Sequence, residues 1–298
     1  MTSRNFALIA AFIASVIYGV TFTLAKDVMP LYVKPYAFIV FRVFGATILF
    51  WVASLFIKRE FIERSDYMRI FLAAVFGVGL NMLTFFKGLS YTTPINASVV
   101  MVTTPIIVLS LSALILKEHL AKWRIMGIFI GLTGAIYLIV YGNGLQLDSA
   151  RIQWGNFLVF INAFSYSLYL ILVKKLTSKY HPINFAKWLY LLGFFMVLPF
   201  GFQELELISW QTMPLDILYK ILFVVVFATF ITYLFNLLAV RNLKPTTVSV
   251  FIYIQPFIAT VFALMMQSDT LNIHKILASA LIFTGVYMVS SKQRRKAD

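Results

Sequence analysis

Long apolar runs, each closed by charges or turn residues, recur along the chain at about 6–25, 35–57, 68–89, 94–116, 123–141, 153–173, 183–202, 217–239, 245–267 and 273–291. A bilayer-spanning helix takes roughly 20 apolar residues, so the pattern predicts ten membrane-crossing helices with short connections. The predicted fold class is therefore all-α, a multi-pass membrane protein. The first run follows a single Arg4 and lacks a small-residue cleavage site, which reads as a retained helix and not as a signal peptide.

Composition agrees with the pattern. Of 298 residues, 61% are apolar and 12% charged, with mean hydropathy +0.89; soluble domains sit nearer half and a quarter, so a soluble globule is excluded. No cysteine is present, which excludes disulfides, zinc–thiolate sites and iron–sulfur clusters. His119, His181 and His274 fall in predicted connections, apart from one another and from carboxylates, and read as solvated loop residues, so no metal is expected. Nothing resembles a phosphate-binding glycine loop or a nucleophile with its base and orienter. The expectation is no enzyme, no cofactor and no ATP-driven transport.

The net charge of +14 matters through its distribution. Most of the 25 Lys and Arg lie in alternate connections, among them Lys58, Arg59, Arg64 and Arg69, then Lys117, Lys122 and Arg124, then Lys174, Lys175 and Lys179, and the group at 292–296. Basic residues stay on the cytoplasmic side, so both termini are expected in the cytoplasm. The excess is then a topology signal, and no nucleic-acid partner is expected. Trp123, Trp154, Trp188 and Trp210 fall near predicted span ends, where indoles favour the headgroup region.

Sliding the chain against itself aligns Pro94 with Pro245, Ser98 with Ser249, Pro105 with Pro256, Thr133 with Thr284 and Gly134 with Gly285 at one offset, and brings Glu118 to Asp269. A slightly shorter offset pairs Tyr18 with Tyr166 and Lys26 with Lys174. Two prolines at a repeated spacing are harder to obtain by chance than apolar identities, so the chain divides into five-helix units at 1–142 and 143–298. Five is odd, so the second unit enters the membrane from the opposite side. Consistent with inversion, 58–69 carries four basic residues, whereas 203–219 carries none and holds Glu204, Glu206 and Asp216. Inverted repeats around a midplane site are the architecture of secondary transporters.

The stretch FFKGLSYTTPINASVVMVTTPIIVLSLSALILKEHLAKWRIMGIFIGLTGAIYLI and its partner FNLLAVRNLKPTTVSVFIYIQPFIATVFALMMQSDTLNIHKILASALIFTGVYMV resemble the two copies of the EamA-like domain of the drug/metabolite transporter superfamily. Each has a polar turn, a helix with a central proline, an acidic turn and a closing helix rich in small residues. The resemblance implies a ten-helix inner-membrane transporter with helices 1, 3, 4, 6, 8 and 9 around a central cavity. It also implies an exporter of amino acids or other metabolites, the second copy departing in having Asp269 where glutamate is commoner.

Polar residues inside spans cost free energy unless they face protein or water. Asn162, Ser165, Tyr166 and Tyr169 share one face of the sixth span, and Thr229, Thr232, Tyr233 and Asn236 one face of the eighth. With Gly77, Asn81 and Thr84 in the third, Tyr18 and Thr21 in the first and Tyr253 in the ninth, they are candidates to line a substrate pocket. The plainer reading is interhelical hydrogen bonding, worth about 0.6–2 kcal/mol per contact. Pro105 and Pro256 remove mid-helix amide donors and free the carbonyls of Met101 and Ile252, a paired hinge or a static kink. Gly127, Gly131 and Gly134 offer a face for close packing, within the chain or between chains.

Arg42 is the one charge well inside a predicted span. A gate or structural role is one reading; a substrate carboxylate, Asp27 and the headgroups are its candidate partners. No acidic residue falls inside a predicted span, which disfavours cation/proton antiport; Asn, Thr and Tyr suit neutral or zwitterionic solutes, with aromatic walls for an apolar side chain. The sequence thus points to an alternating-access exporter of amino acids or similar small metabolites, a fused pseudo-dimer working as a monomer or as a homodimer. The alternatives are a carrier of anionic solutes such as organic phosphates, using Arg42, Lys26 and Lys87, and a non-transporting membrane receptor or scaffold.

Overall fold

The computed structural model describes residues 3–116, 122–141 and 149–290, and within them every regular element is helical. The rods are α1 (Ser3–Val28), α2 (Pro35–Ser54), α3 (Arg64–Tyr91), α4 (Pro94–Leu116), α5 (Lys122–Tyr141), α6 (Ser149–Lys179), α7 (Pro182–Leu205), α8 (Leu215–Asn242), α9 (Pro245–Met265) and α10 (Ile273–Ser290). Eight of these, all but α5 and α10, are long and apolar enough to cross a membrane; the other two hold shorter apolar stretches, Ile125–Leu138 and Ile273–Met288. Glu118, at the acidic turn of the first motif, lies outside the described residues.

Helix starts follow local chemistry. Pro35, Pro94, Pro182 and Pro245 each stand in the first turn of a rod, where the missing amide is not needed and the fixed φ already suits a helix. Thr93 caps α4 by accepting from the Asn96 amide. Large side chains such as Phe56, Phe129, Phe195, Phe257 and Tyr287 point outward, a greasy exterior suited to lipid and not to water.

Four rods are interrupted, two by each device. π-helical segments occupy Val75–Gly79 in α3 and Val226–Ile231 in α8, at matching places when the two motifs are superposed. In α4 the helix breaks at Val102 and Thr103, and in α9 a 3-10 turn covers Phe251–Tyr253. Pro105 and Pro256 thus fall in the first turn of the segments that restart, Thr104–Leu116 and Ile254–Met265. The expectation of prolines inside continuous helices is corrected: the chain breaks ahead of each, where a proline costs little.

α2 and α7 run antiparallel, and their ends orient the bundle. Glu204, closing α7, accepts from the Tyr36 and Ala37 amides that open α2; Asn184, opening α7, donates to the Lys58 carbonyl just beyond α2. Glu204 and Lys58 therefore sit at opposite ends. The glycine face of α5 is used inside the chain: a Cβ on Gly285 of α10 would come within 2.4 Å of the Gly131 nitrogen, and one on Gly134 within 2.8 Å of Leu281 Cβ. The two rods meet backbone to backbone.

Candidate functional site

A cavity of about 540 Å³ of space free of protein atoms, part of it open to solvent, lies among α1, α2, α3, α4, α6, α8 and α9. Its polar wall holds Tyr18, Thr21, Asn81, Asn162, Tyr166 and Tyr233, all sequence candidates, together with Arg42. Its apolar wall holds Phe22, Met82, Phe85 and Phe86, with Met101 just ahead of the break in α4 and Ile252 within the 3-10 turn of α9. Tyr18 aligns with Tyr166, and Met101 with Ile252, when the chain is slid against itself.

Hydrogen bonds from the π segments fix the polar wall. A π turn shifts the backbone ladder and turns carbonyls toward other partners. The Tyr233 hydroxyl donates to the Gly77 carbonyl at 2.7 Å and lies 3.3 Å from Asn81 Oδ1, while Asn162 Nδ2 donates to the Asn81 carbonyl at 2.8 Å. Ser165 Oγ donates to the Phe76 carbonyl at 2.8 Å. The first π segment and the turn after it are thereby tied to α6 and α8. The place of Gly77 leaves no room for a side chain: a Cβ there would lie 2.3 Å from Cδ2 of Tyr169.

Arg42 is buried, 3% exposed, which removes the headgroup reading. Asp27 is not its partner either: Asp27 pairs with Lys220, which also meets Asp216 at 3.1 Å. Instead Nε of Arg42 donates to Thr229 Oγ1 at 2.9 Å and Nη2 to the Ala228 carbonyl at 3.4 Å, both in the second π segment. Its Cζ lies 4.1 Å from the centroid of the Phe86 ring. Among the described residues no carboxylate pairs with it.

Other sequence candidates are turned elsewhere. The Thr84 hydroxyl donates to the Leu80 carbonyl of its own helix at 2.7 Å, and that of Thr232 to the Phe227 carbonyl at 2.6 Å. Tyr169 is buried between Gly77, Tyr166 and Tyr233 behind the cavity wall. Asn236 is buried without lining the cavity, and the Tyr253 ring packs edgewise on Phe283. The eighth-span stripe splits: Thr229, inside the π segment, holds Arg42, and of the three residues beyond the segment only Tyr233 lines the cavity. Gln255 lines the cavity and went unread, although it adjoins Pro256.

The lysines named with Arg42 do not join it. Lys26 Nζ donates to the Leu89 and Ser90 carbonyls at 3.0 and 2.9 Å, closing the end of α3. Its repeat partner Lys174 does the same for α8, reaching the carbonyls of Val240, Arg241 and Leu243 at 2.7, 3.2 and 3.0 Å. Cations suit these orphan carbonyls. Lys87 lies over the Tyr36 and Tyr91 rings. His274 is helical, its Nδ1 2.8 Å from the Tyr137 hydroxyl, not a loop residue.

Ion-pair clusters close both ends of the bundle. At the α2-start end, Lys220 of α8 bridges Asp27 of α1 and Asp216. At the other, Lys179 of α6 meets Glu63 and, at 2.9 Å, Asp66 of α3, which also pairs with Arg69 and accepts from the Tyr180 hydroxyl. Each cluster joins a rod of one sequence unit to a rod of the other.

Comparison with known proteins places this architecture. A model of the EamA-like transporter family matches residues 5–140 and again 153–291. An uncharacterized transporter of Archaeoglobus fulgidus is 27% identical over 276 residues, covering 93% of this chain and 95% of its own. The uncharacterized transporter YyaM of Bacillus subtilis (strain 168) is 22% identical over 279 residues, covering 93% and 90%. A solved structure described as "Crystal structure of protein" superposes with TM-score 0.67 at 16% identity, covering 98% of this chain and 99% of that one, a likeness of fold. With both of its halves matched, this multi-pass membrane chain belongs to the EamA-like transporter family and is a transporter of the drug/metabolite type, not an enzyme.

Proposed function

We propose that the chain is a secondary transporter of the inner membrane that exports amino acids or similar small neutral or zwitterionic metabolites by alternating access. In this reading ten spans form two inverted five-helix halves, both termini are cytoplasmic, and one chain is the working unit. The observation that carries it is the central cavity, walled by the repeat-related pairs Tyr18 with Tyr166 and Met101 with Ile252. A site shared by two similar halves is what exchange of their conformations would expose to alternate sides. Support also comes from Lys58 and Glu204 lying at opposite ends of the bundle, as inversion requires. The ion pairs at each end, Lys220 with Asp27 and Lys179 with Asp66, are suited to act as alternately opened latches.

A second reading, transport of anionic solutes, draws support from Arg42 in the cavity wall. The organic-phosphate form of it is weakened because Lys26 and Lys87 hold other partners. Counterflow in proteoliposomes tests both: vesicles loaded with an apolar amino acid should take up the labelled compound faster than empty ones. Trans-stimulation by phosphorylated solutes alone would favour the second reading, and none by either class would refute the first. Uptake and efflux in a deletion host, with and without an uncoupler, gives direction and coupling.

A further inference from the structure

We propose that Arg42 is the docking point for a substrate carboxylate, so that the solutes carried are small organic acids with an apolar body, amino acids included. The inference deepens the proposed function and rests on its reading of the central cavity as the substrate site.

A guanidinium taken out of water needs a counter-charge and acceptors for its N–H groups. Arg42 has two acceptors, Thr229 Oγ1 and the Ala228 carbonyl, both neutral. Phe86 covers a face of the group and leaves its N–H edge free. Among the described residues Nη1 meets no protein acceptor, and the acids that could have served are engaged: Asp27 and Asp216 with Lys220, Asp66 with Lys179, Asp269 with Lys275. Among the described residues the positive charge of the cavity wall is thus unbalanced. A planar carboxylate matches the open fork of N–H groups in two parallel hydrogen bonds.

The rest of the cavity says what the carboxylate is attached to. Asn162, 2% exposed, donates its amide to the Asn81 carbonyl, while its Oδ1 is buried with no partner. Such an orphan acceptor in a ligand cavity calls for a ligand N–H or O–H, which an α-ammonium or α-hydroxyl supplies. Phe22, Phe85, Met101 and Ile252 offer an apolar wall to the remainder of the solute. Amines lacking a carboxylate are repelled by Arg42 and find no acid in the cavity wall among the described residues. A phosphate dianion asks for a second cation, and none lines the cavity among the described residues.

Thermal unfolding of the purified full-length protein, followed by tryptophan fluorescence, tests this through ligand linkage. The probes are 4-methylpentanoate, L-leucine, the isosteric neutral 4-methylpentanamide, chloride and inorganic phosphate, each at up to millimolar concentration. Both carboxylates should raise the midpoint saturably, with the amide weaker by about tenfold or more and the inorganic ions inert. Arg42→Lys, which keeps the charge and loses the fork, should weaken the carboxylates about tenfold, and Arg42→Gln should erase the preference over the amide. Equal stabilisation by amide and carboxylate in the unaltered protein overturns the proposal without any variant having to fold; so does equal stabilisation by chloride or phosphate, or by no member of the panel. If carboxylates bind equally to the protein and to Arg42→Gln but are lost in Tyr166→Ala, the anchor falls and the cavity stands. If they bind and none of Arg42→Gln, Asn162→Ala and Tyr166→Ala changes them, the cavity reading falls with it.

Discussion

Replacing Thr229 by valine keeps the shape of the side chain and removes the one hydroxyl that holds the Arg42 Nε. That hydroxyl accepts from Arg42 at 2.9 Å and donates to the Val224 carbonyl at 2.7 Å, and Thr229 is wholly buried. Hydrogen bonds to charged groups are worth about 1.5–3 kcal/mol, whereas bonds between membrane helices average about 0.6 and reach about 1.7. The two ranges meet near 1.5 kcal/mol, about tenfold in the folding equilibrium. Thr229→Val should therefore destabilise by about that amount in reversible unfolding in mixed micelles, while Thr229→Ser, which keeps the hydroxyl and loses a buried methyl, should cost less, about 0.8 kcal/mol. In an Arg42→Gln background the cost of Thr229→Val should shrink, because the two residues are coupled. A valine variant as stable as the parent, or an undiminished cost without Arg42, would refute the assignment.

The two ends should respond independently. Lys220→Gln should speed amide exchange near Asp27 and Asp216 and leave 58–66 unchanged, and Lys179→Gln should do the reverse; equal effects at both ends would show that the ion pairs are not separate latches. Gly285→Ala should destabilise by about 1–3 kcal/mol, since the new Cβ meets backbone atoms of Gly131 and Gly127 at 2.4–2.5 Å, which no side-chain rotation relieves; a neutral result in the same unfolding assay would mean that α5 and α10 do not touch there. Lys26→Met and Lys174→Met should each cost about 1–2 kcal/mol by orphaning helix-end carbonyls, and a cost at one but not the other would contradict their equivalent roles.

The long helices were legible in the chain because lipid demands length and hydropathy, which a sequence states openly; the apolar runs of α1 to α4 and α6 to α9 appear as such. The polar stripes were half legible. Tyr18, Asn81, Asn162, Tyr166 and Tyr233 meet at the cavity, whereas Thr84 and Thr232 turn back on their own helices, a choice that costs a hydroxyl nothing and leaves no trace in spacing. The π segments escaped notice because a shifted hydrogen-bond ladder changes no residue's hydropathy. Only Gly77, read as part of a polar face, hinted that a ring, that of Tyr169, would press against the backbone there. The partner of Arg42 lay in another rod at Thr229, and no local pattern reports a contact across so much chain. The shared task of Lys26 and Lys174 could have been found, since their alignment was in view and each precedes a connection to the next rod.

Because the chain has no cysteine, Thr21→Cys puts a single thiol in the cavity wall. In vesicles of known sidedness, a membrane-impermeant thiol reagent applied to either face should reach it, and a transported solute should slow both reactions. Labelling confined to one face under every condition, or to neither, would contradict a carrier that opens its central cavity to the two sides in turn.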